Sequence, residues 1–200
     1  MTTTRRTVLA GGAAAASLLL LPLAAHAEGT LEAAKKRGTF RVGVTQAPPW
    51  FSKDPKTGEW SSGLGISMGK AMAQTLGVKM ETVEVSWGNS IAALQGDMID
   101  IMFTIDATPE RKQAVDFPTS PLLAARQKLG KGKIVVPMPV QSQASSAAVR
   151  KGDTEFVTWV DKQLAAYYQS GQTQKWYEQA LSDFGLDPKL APPIMKEMIK

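Results

Sequence analysis

The clearest chemistry in this sequence sits in four consecutive residues, Thr108-Pro109-Glu110-Arg111. Thr108 can cap a helix, Pro109 suits its first position, and Glu110 suits the positive end of its dipole. Arg111 then falls in the first turn, where free backbone N–H groups and the dipole favour an anion. A guanidinium placed there can grip a carboxylate through two parallel hydrogen bonds. The competing role is that of a surface arginine paired with a neighbouring acid. Thr104 and Asp106 stand just upstream, and Asp106 could meet an amine or simply cap a turn. Trp50 and Phe51 offer flat apolar surface, although Phe51 serves equally well as loop packing. Gly63-Leu64-Gly65 fails as a nucleotide loop, because the third glycine of G-x-G-x-x-G would fall at Met68.

Composition removes most other chemistries. The 200 residues include no Cys and a single His, His26, which lies in a predicted export segment. Without Cys there is no disulfide, no thiol nucleophile and no lipidated cysteine. Without a further His there is no Ser-His-Asp triad and no His-ligated metal site. No cofactor or metal is implied. The net charge is +5, and two of the positive residues, Arg5 and Arg6, belong to the export segment. No dense Lys/Arg run points to nucleic acid. A folded protein that binds something small is the simplest class left.

The elements that must position these residues follow from pattern. Leu31 to Arg37 reads as a helix stopped by Gly38. Thr39 to Val44 alternates and is rich in β-formers, so it reads as a strand. The Ala47-Pro48-Pro49-Trp50-Phe51 stretch must be loop, and Lys53 to Gly58 is a polar turn. Ile66 to Leu76 fits a helix with one buried face, closed by Gly77. Val78 to Val85 is the next strand, and Asn89 to Gln95 a helix capped by Asn89. Ile99 to Thr104 is an apolar run of strand length, covered on both faces. Repeated strand–helix alternation predicts an α/β fold with a doubly wound, mostly parallel sheet and flanking helices. In such sheets ligands sit beyond the carboxyl ends of the strands. Trp50 and Phe51 follow one strand and Thr104 and Asp106 end another, so they would form two walls of one crevice.

Beyond Pro121 the pattern weakens. Ala124 to Lys133 reads as a connection, and Ile134 to Val140 and Ala147 to Arg150 as strand-like. Asp153 caps a helix reaching about Ser170, with Phe156, Val160, Leu164 and Tyr167 on one face. Thr173 to Leu181 is a last amphipathic helix, where Trp176 and Tyr177 read as packing residues. At the other end, Arg5-Arg6, the uncharged run Val8 to Leu23 and Ala25-His26-Ala27 form a signal peptide, with cleavage expected after Ala27. The paired arginines resemble a twin-arginine export signal. The run falls short of the ~20 residues a membrane span needs, so no stable insertion is expected after cleavage.

The ordered set of motifs resembles the periplasmic amino-acid-binding receptors of ABC importers, bacterial extracellular solute-binding protein family 3. It comprises Arg41-Val42-Gly43-Val44, Pro48-Pro49-Trp50, Ser86-Trp87, Ala93-Leu94-Gln95-Gly96, Asp100-Ile101, Thr108-Pro109-Glu110-Arg111 and Val115-Asp116-Phe117. Ala148 to Asp153 and the helix ending at Gly171 resemble the family's closing segment. The resemblance implies the type II periplasmic-binding-protein fold, two α/β lobes with the ligand between them. It also implies that Arg111 binds the ligand carboxylate with help from Thr108, and that an inner-membrane ABC permease is the partner. One departure is small: Ser67 stands where the family usually has Asp. The other is large. The crossing to lobe two falls near Ser120-Pro121 and the return near Ile134, so the second lobe is largely missing. The expected organisation is a signal peptide over 1–27, a first part of lobe one over 28–120, a hinge and short remnant over 121–146, and the returning part over 147–200.

Function then rests on what one lobe can do. Hydrogen bonds to a charged group contribute about 1.5–3 kcal/mol each, and a millimolar complex already needs about 4.1 kcal/mol. Arg111 and one aromatic wall therefore predict binding of a small amino acid or other small carboxylate near millimolar or weaker. The competing classes are a cyclic-acid dehydratase on the same fold, separable by an assay for prephenate or arogenate dehydration, and a remnant that binds no solute.

Overall fold

The computed structural model describes residues 28–120, 123–124 and 144–190. The expected signal peptide, the strand-like Ile134 to Val140 and nearly all of the expected connection lie outside them. Ala124, the first residue of that expected connection, pairs in a short strand.

Helix α1 (Thr30–Arg37) ends at Gly38, whose φ of 76° suits a residue without a side chain. Strand β1 (Thr39–Val44) follows, its Phe40, Val42 and Val44 fully buried. A short antiparallel ribbon, β2 (Ser52–Lys53) and β3 (Trp60–Ser62), brackets the polar turn. Helix α2 (Leu64–Leu76) buries Ile66, Met68, Met72 and Ala73. It lies so close to the sheet that a side chain on Gly69 would run into Val42 and Met80. Strand β4 (Lys79–Glu84), helix α3 (Ser90–Gln95), strand β5 (Ile101–Ile105) and helix α4 (Pro109–Ala114) follow in turn. Strands β6 (Val115–Asp116), β7 (Leu123–Ala124) and β8 (Ala144–Arg150) precede helices α5 (Thr154–Gln169) and α6 (Gln172–Asp183).

The main sheet has the order β4-β1-β5-β8-β6, with β7 paired to β8. Strand β1 is parallel to both β4 and β5, while β8 runs antiparallel to β5, β6 and β7. The sheet is thus mixed and mostly parallel, with the returning strand alone reversed. From β1 the chain steps outward to β4, then doubles back past β1 to β5. Parallel crossovers are right-handed, so this reversal puts α2 and α3 on opposite faces. The chain reverses direction between β1 and β5, the place where open α/β sheets hold ligands beyond their strands' carboxyl ends.

Two details differ from expectation. Asn89 does not cap α3; its Oδ1 accepts the Ser86 N–H at 2.8 Å and closes the turn before the helix. The buried face of α5 runs through Phe156, Val160, Leu164 and Tyr168, while Tyr167 is half-buried and meets the Trp176 ring edge-on at 5.0 Å. A strict four-residue spacing selects Tyr168 over its neighbour. The Asp153 cap stands as expected, accepting the Phe156 N–H at 3.1 Å.

At the amino ends of the strands a charge network ties distant segments together. The Asp100 side chain is 1% exposed and accepts from Arg37, from the Arg41 backbone at 2.7 Å, and from the Arg41 guanidinium at 2.8 Å. Asp97 accepts from Arg41 at 3.0 Å and Arg150 at 3.1 Å. Asp153 takes the Thr30 N–H at 2.7 Å, joining the start of α1 to the start of α5. Burial pushes the Arg41 guanidinium down, but Asp100 and Asp97 more than reverse this and leave it above its ordinary value.

Candidate functional site

The opposite end of the sheet carries the residues singled out for chemistry. Strand β5 is completely covered through Phe103, then changes course. Its pairing with β8 shifts register between Met102 and Ile105, and Thr104 adopts a φ of 60°. A β-branched residue in the left-handed region is strained, and such strain concentrates at binding sites. The Thr104 hydroxyl donates to the Phe103 carbonyl at 2.7 Å.

The next turn is closed through the backbone. The Asp106 carbonyl accepts the Thr108 N–H at 3.0 Å and Arg111 Nη1 at 3.1 Å. Thr108 caps α4 as expected, its hydroxyl accepting the Arg111 N–H at 3.3 Å. Glu110 is exposed, and hydrogen bonds from its own backbone N–H and from Thr108 hold its carboxyl below the usual range. Among the described residues no carboxylate forms an ion pair with Arg111. The guanidinium is oriented by a carbonyl and keeps donors for an outside acceptor. Helix α4 has only six residues, so the anion preference of this corner comes from the guanidinium rather than from a helix dipole.

The two aromatics after β1 separate. Phe51 is completely buried; its ring packs against Gly65, where any side chain would collide with it. It is a core residue and forms no wall of the crevice, because the first turn of α2 closes over it. Trp50 is half-buried, and Tyr177 on α6 stacks on its ring at 5.6 Å and 11°. Two hydrogen bonds fix this loop to the start of α2: Leu64 N to Pro49 O at 3.1 Å and Gly65 N to Trp50 O at 3.0 Å. Gly63 permits that approach, because its φ of 119° and the adjacent Trp50 carbonyl exclude a side chain.

Trp87 is a residue that sequence reasoning misses as a site candidate. It lies just past β4, beside the carboxyl end of β1, and is 38% exposed. Ser86 and Asn89 hold its turn through reciprocal bonds, and the buried Ser90 hydroxyl donates to the Trp87 carbonyl at 3.1 Å. The available signal is a bulky apolar ring held in a Ser-Trp-Gly-Asn turn at a strand end. At the same end, Lys53 pairs with Glu84 at 2.6 Å and lies 4.9 Å from the Trp60 ring.

An aromatic ring, a poised guanidinium and a strained strand end at the carboxyl ends of neighbouring strands suit a small anion with an apolar portion. The L-cystine-binding protein TcyJ of Escherichia coli (strain K12) is 30% identical over 105 residues, 52% of this chain and 39% of that protein. The chain thus spans about two fifths of the length of that curated relative. An ancestral cationic amino acid solute binding protein superposes with a TM-score of 0.63 at 26% identity, over 75% of this chain and 98% of the other. The arginine-bound form of domain 1 from TmArgBP, a Phe57Trp mutant, gives 0.56 at 26% identity, over 70% of this chain and 98% of that domain. Residues 40–183 match the model of the bacterial extracellular solute-binding proteins, family 3, and with that match the chain belongs to the family.

Proposed function

We propose that this chain holds a small amino acid or similar carboxylate in the crevice beyond β1 and β5, as the solute-binding component for an inner-membrane ABC permease. The observation that carries the reading is the Arg111 guanidinium, oriented by the Asp106 carbonyl and paired with no acid among the described residues. In this reading Arg111 grips the carboxylate and Thr108 holds the turn that presents it. Thr104 and Asp106 border the ligand, and Trp50 and Trp87 supply apolar surface.

We further infer that the chain is lobe one of the two-lobe fold, with lobe two reduced to a short link between β6 and β8. The antiparallel return of β8 between β5 and β6 completes a single sheet, which supports this. Binding by one lobe has a parallel in TmArgBP, whose domain 1 has a crystal structure in an arginine-bound form. Export to the periplasm, with cleavage after Ala27, follows from the sequence; amino-terminal sequencing of the exported protein should begin at Glu28.

Calorimetric or NMR titration of residues 28–200 with arginine, lysine, glutamine and cystine tests the reading. Binding near millimolar that Arg111→Ala weakens tenfold or more supports it. No binding by any of the four, or binding indifferent to Arg111, would overturn it. Uptake should fail without a second lobe, so restored growth of a receptor-deletion strain on one amino acid would contradict the single-lobe inference.

A further inference from the structure

We propose that Tyr177 on α6 is a positioning residue for the crevice, holding the Trp50 ring in place for an amino-acid ligand. The proposal rests on the amino-acid reading of the site and gives the last long helix a part in it.

Trp50 is held at two levels. Its N–H donates to the Ala47 carbonyl at 2.8 Å, and its own carbonyl accepts the Gly65 N–H at 3.0 Å. Those bonds set the loop but do not orient the side chain. Tyr177 stacks on the indole instead, with ring centres 5.6 Å apart and 11° between the planes. Such a pair contributes more than its buried area alone. Trp50 remains half-buried under this contact, so part of the indole stays open. Tyr177 acts through its ring: its hydroxyl has no hydrogen bond among the described residues, and burial pushes it above its ordinary value.

Helix α6 is itself anchored on both sides of Tyr177. The preceding residue, Trp176, meets Tyr167 of α5 edge-on at 5.0 Å. At the helix end, Asp183 accepts the Ser62 hydroxyl with one oxygen and Gln179 Nε2 at 2.8 Å with the other. Ser62 immediately precedes Gly63, whose backbone lies against the Trp50 carbonyl. Helix α6 thus grips the site loop at two points, the Trp50 ring and the end of β3. A loop from the first part of the chain is braced by a helix from its last part. Without the Tyr177 ring, the indole has to be ordered when ligand arrives, a cost equal to about two- to tenfold in affinity.

NMR titrations of residues 28–200 with L-arginine and L-glutamine test the brace. Tyr177→Ala and Tyr177→Leu should each weaken binding about threefold or more; leucine keeps apolar bulk without the flat face. Tyr177→Phe keeps the ring and should stay within about twofold of wild type. The Trp50 indole N–H resonance, assigned by its loss in Trp50→Phe, should move in the first two variants and hold its place in the third. In a Trp50→Ala background, Tyr177→Ala should change affinity by less than about twofold, because its effect runs through that ring. Urea midpoints report the fold, and Tyr177→Leu carries the reading if Tyr177→Ala loses it. Loss of the fold in both variants overturns the proposal, since Tyr177 would then be a core residue. Wild-type affinity in Tyr177→Leu, with Arg111→Ala still damaging, overturns this proposal alone. So does damage from Tyr177→Phe equal to that from Tyr177→Leu, or an undiminished effect in the Trp50→Ala background. Indifference to Arg111→Ala, or no binding of either amino acid, overturns the amino-acid reading and this proposal together.

Discussion

The two ends of the sheet use charge in opposite ways. At the amino end, Arg37, Arg41 and Arg150 are matched to Asp97, Asp100 and Asp153, with Asp100 almost wholly buried. At the carboxyl end, Arg111 and Asp106 lie within one turn, yet neither pairs with the other nor with another described charge. A charge enclosed by protein must be compensated by protein. A charge at an open strand end can wait for a ligand. The same residue types thus tie the fold together at one end and stand without a charged partner among the described residues at the other, and the difference is visible in their partners rather than their identities.

The contrast breaks most sharply at Asp100. Asp100→Ala strips two guanidiniums and a backbone N–H of their acceptor, and removing one member of a buried ion pair costs about 3–5 kcal/mol. Urea unfolding should show a loss of that size, and a loss below about 1 kcal/mol would mean the network is surface decoration. Next comes Gly63→Ala, which tests whether the crevice loop is placed by close packing rather than by charge. Strain at its positive φ and collision with the Trp50 carbonyl should cost about 1–3 kcal/mol, read from the same urea curves. Arg111→Ala should change stability by less than about 0.5 kcal/mol, while ligand binding falls at least tenfold. A large stability loss would place Arg111 with the structural charges.

The smallest effect concerns acid. Asp161 on α5 accepts the Thr119 hydroxyl at 2.7 Å and the Ser120 N–H at 2.6 Å. Burial pushes its carboxyl up, but these hydrogen bonds outweigh burial and hold it below the ordinary range. A lowered folded-state value stabilises above the unfolded value, about 3.9 for Asp, and the contribution is lost as pH falls through the folded one. Wild type should therefore be the more stable at pH 6, with its advantage over Asp161→Asn shrinking below about pH 4. Melting temperatures across pH 6 to 2.5 check the sign. Asp116, held by Gly152 and Lys151, is lowered in the same sense and will add to the acid sensitivity of both proteins.

Much of this is legible in the sequence. Local signals mark α1, α2, α4 and α5 because each carries its own stop or cap: Gly38, Gly77, Thr108 and Asp153. Strand β5 stands out because a strand covered on both faces needs an unbroken apolar run. The β2–β3 ribbon is harder, since two- and three-residue strands exist only through their mutual pairing. Asn89 misleads because Ser86 competes for the same oxygen, a choice that propensity cannot rank. In the site, Arg111 and Thr108 are readable from one tetrad and its family likeness. Phe51 is not, because its burial depends on Gly65, fourteen residues away, lying against its ring. Trp87 escapes notice because an aromatic in a turn resembles packing until its exposure is known.

The placement of β8 has a consequence for the order in which this protein is made. Its strand lies between β5 and β6, and the cap of the following helix binds the first turn of α1 across 123 positions of sequence. The opening helix and the three parallel strands therefore leave the ribosome without their closing partners. Contacts at such separation form late and slowly. The chain should remain a loosely organised intermediate until about residue 153 has emerged, and then close as one unit.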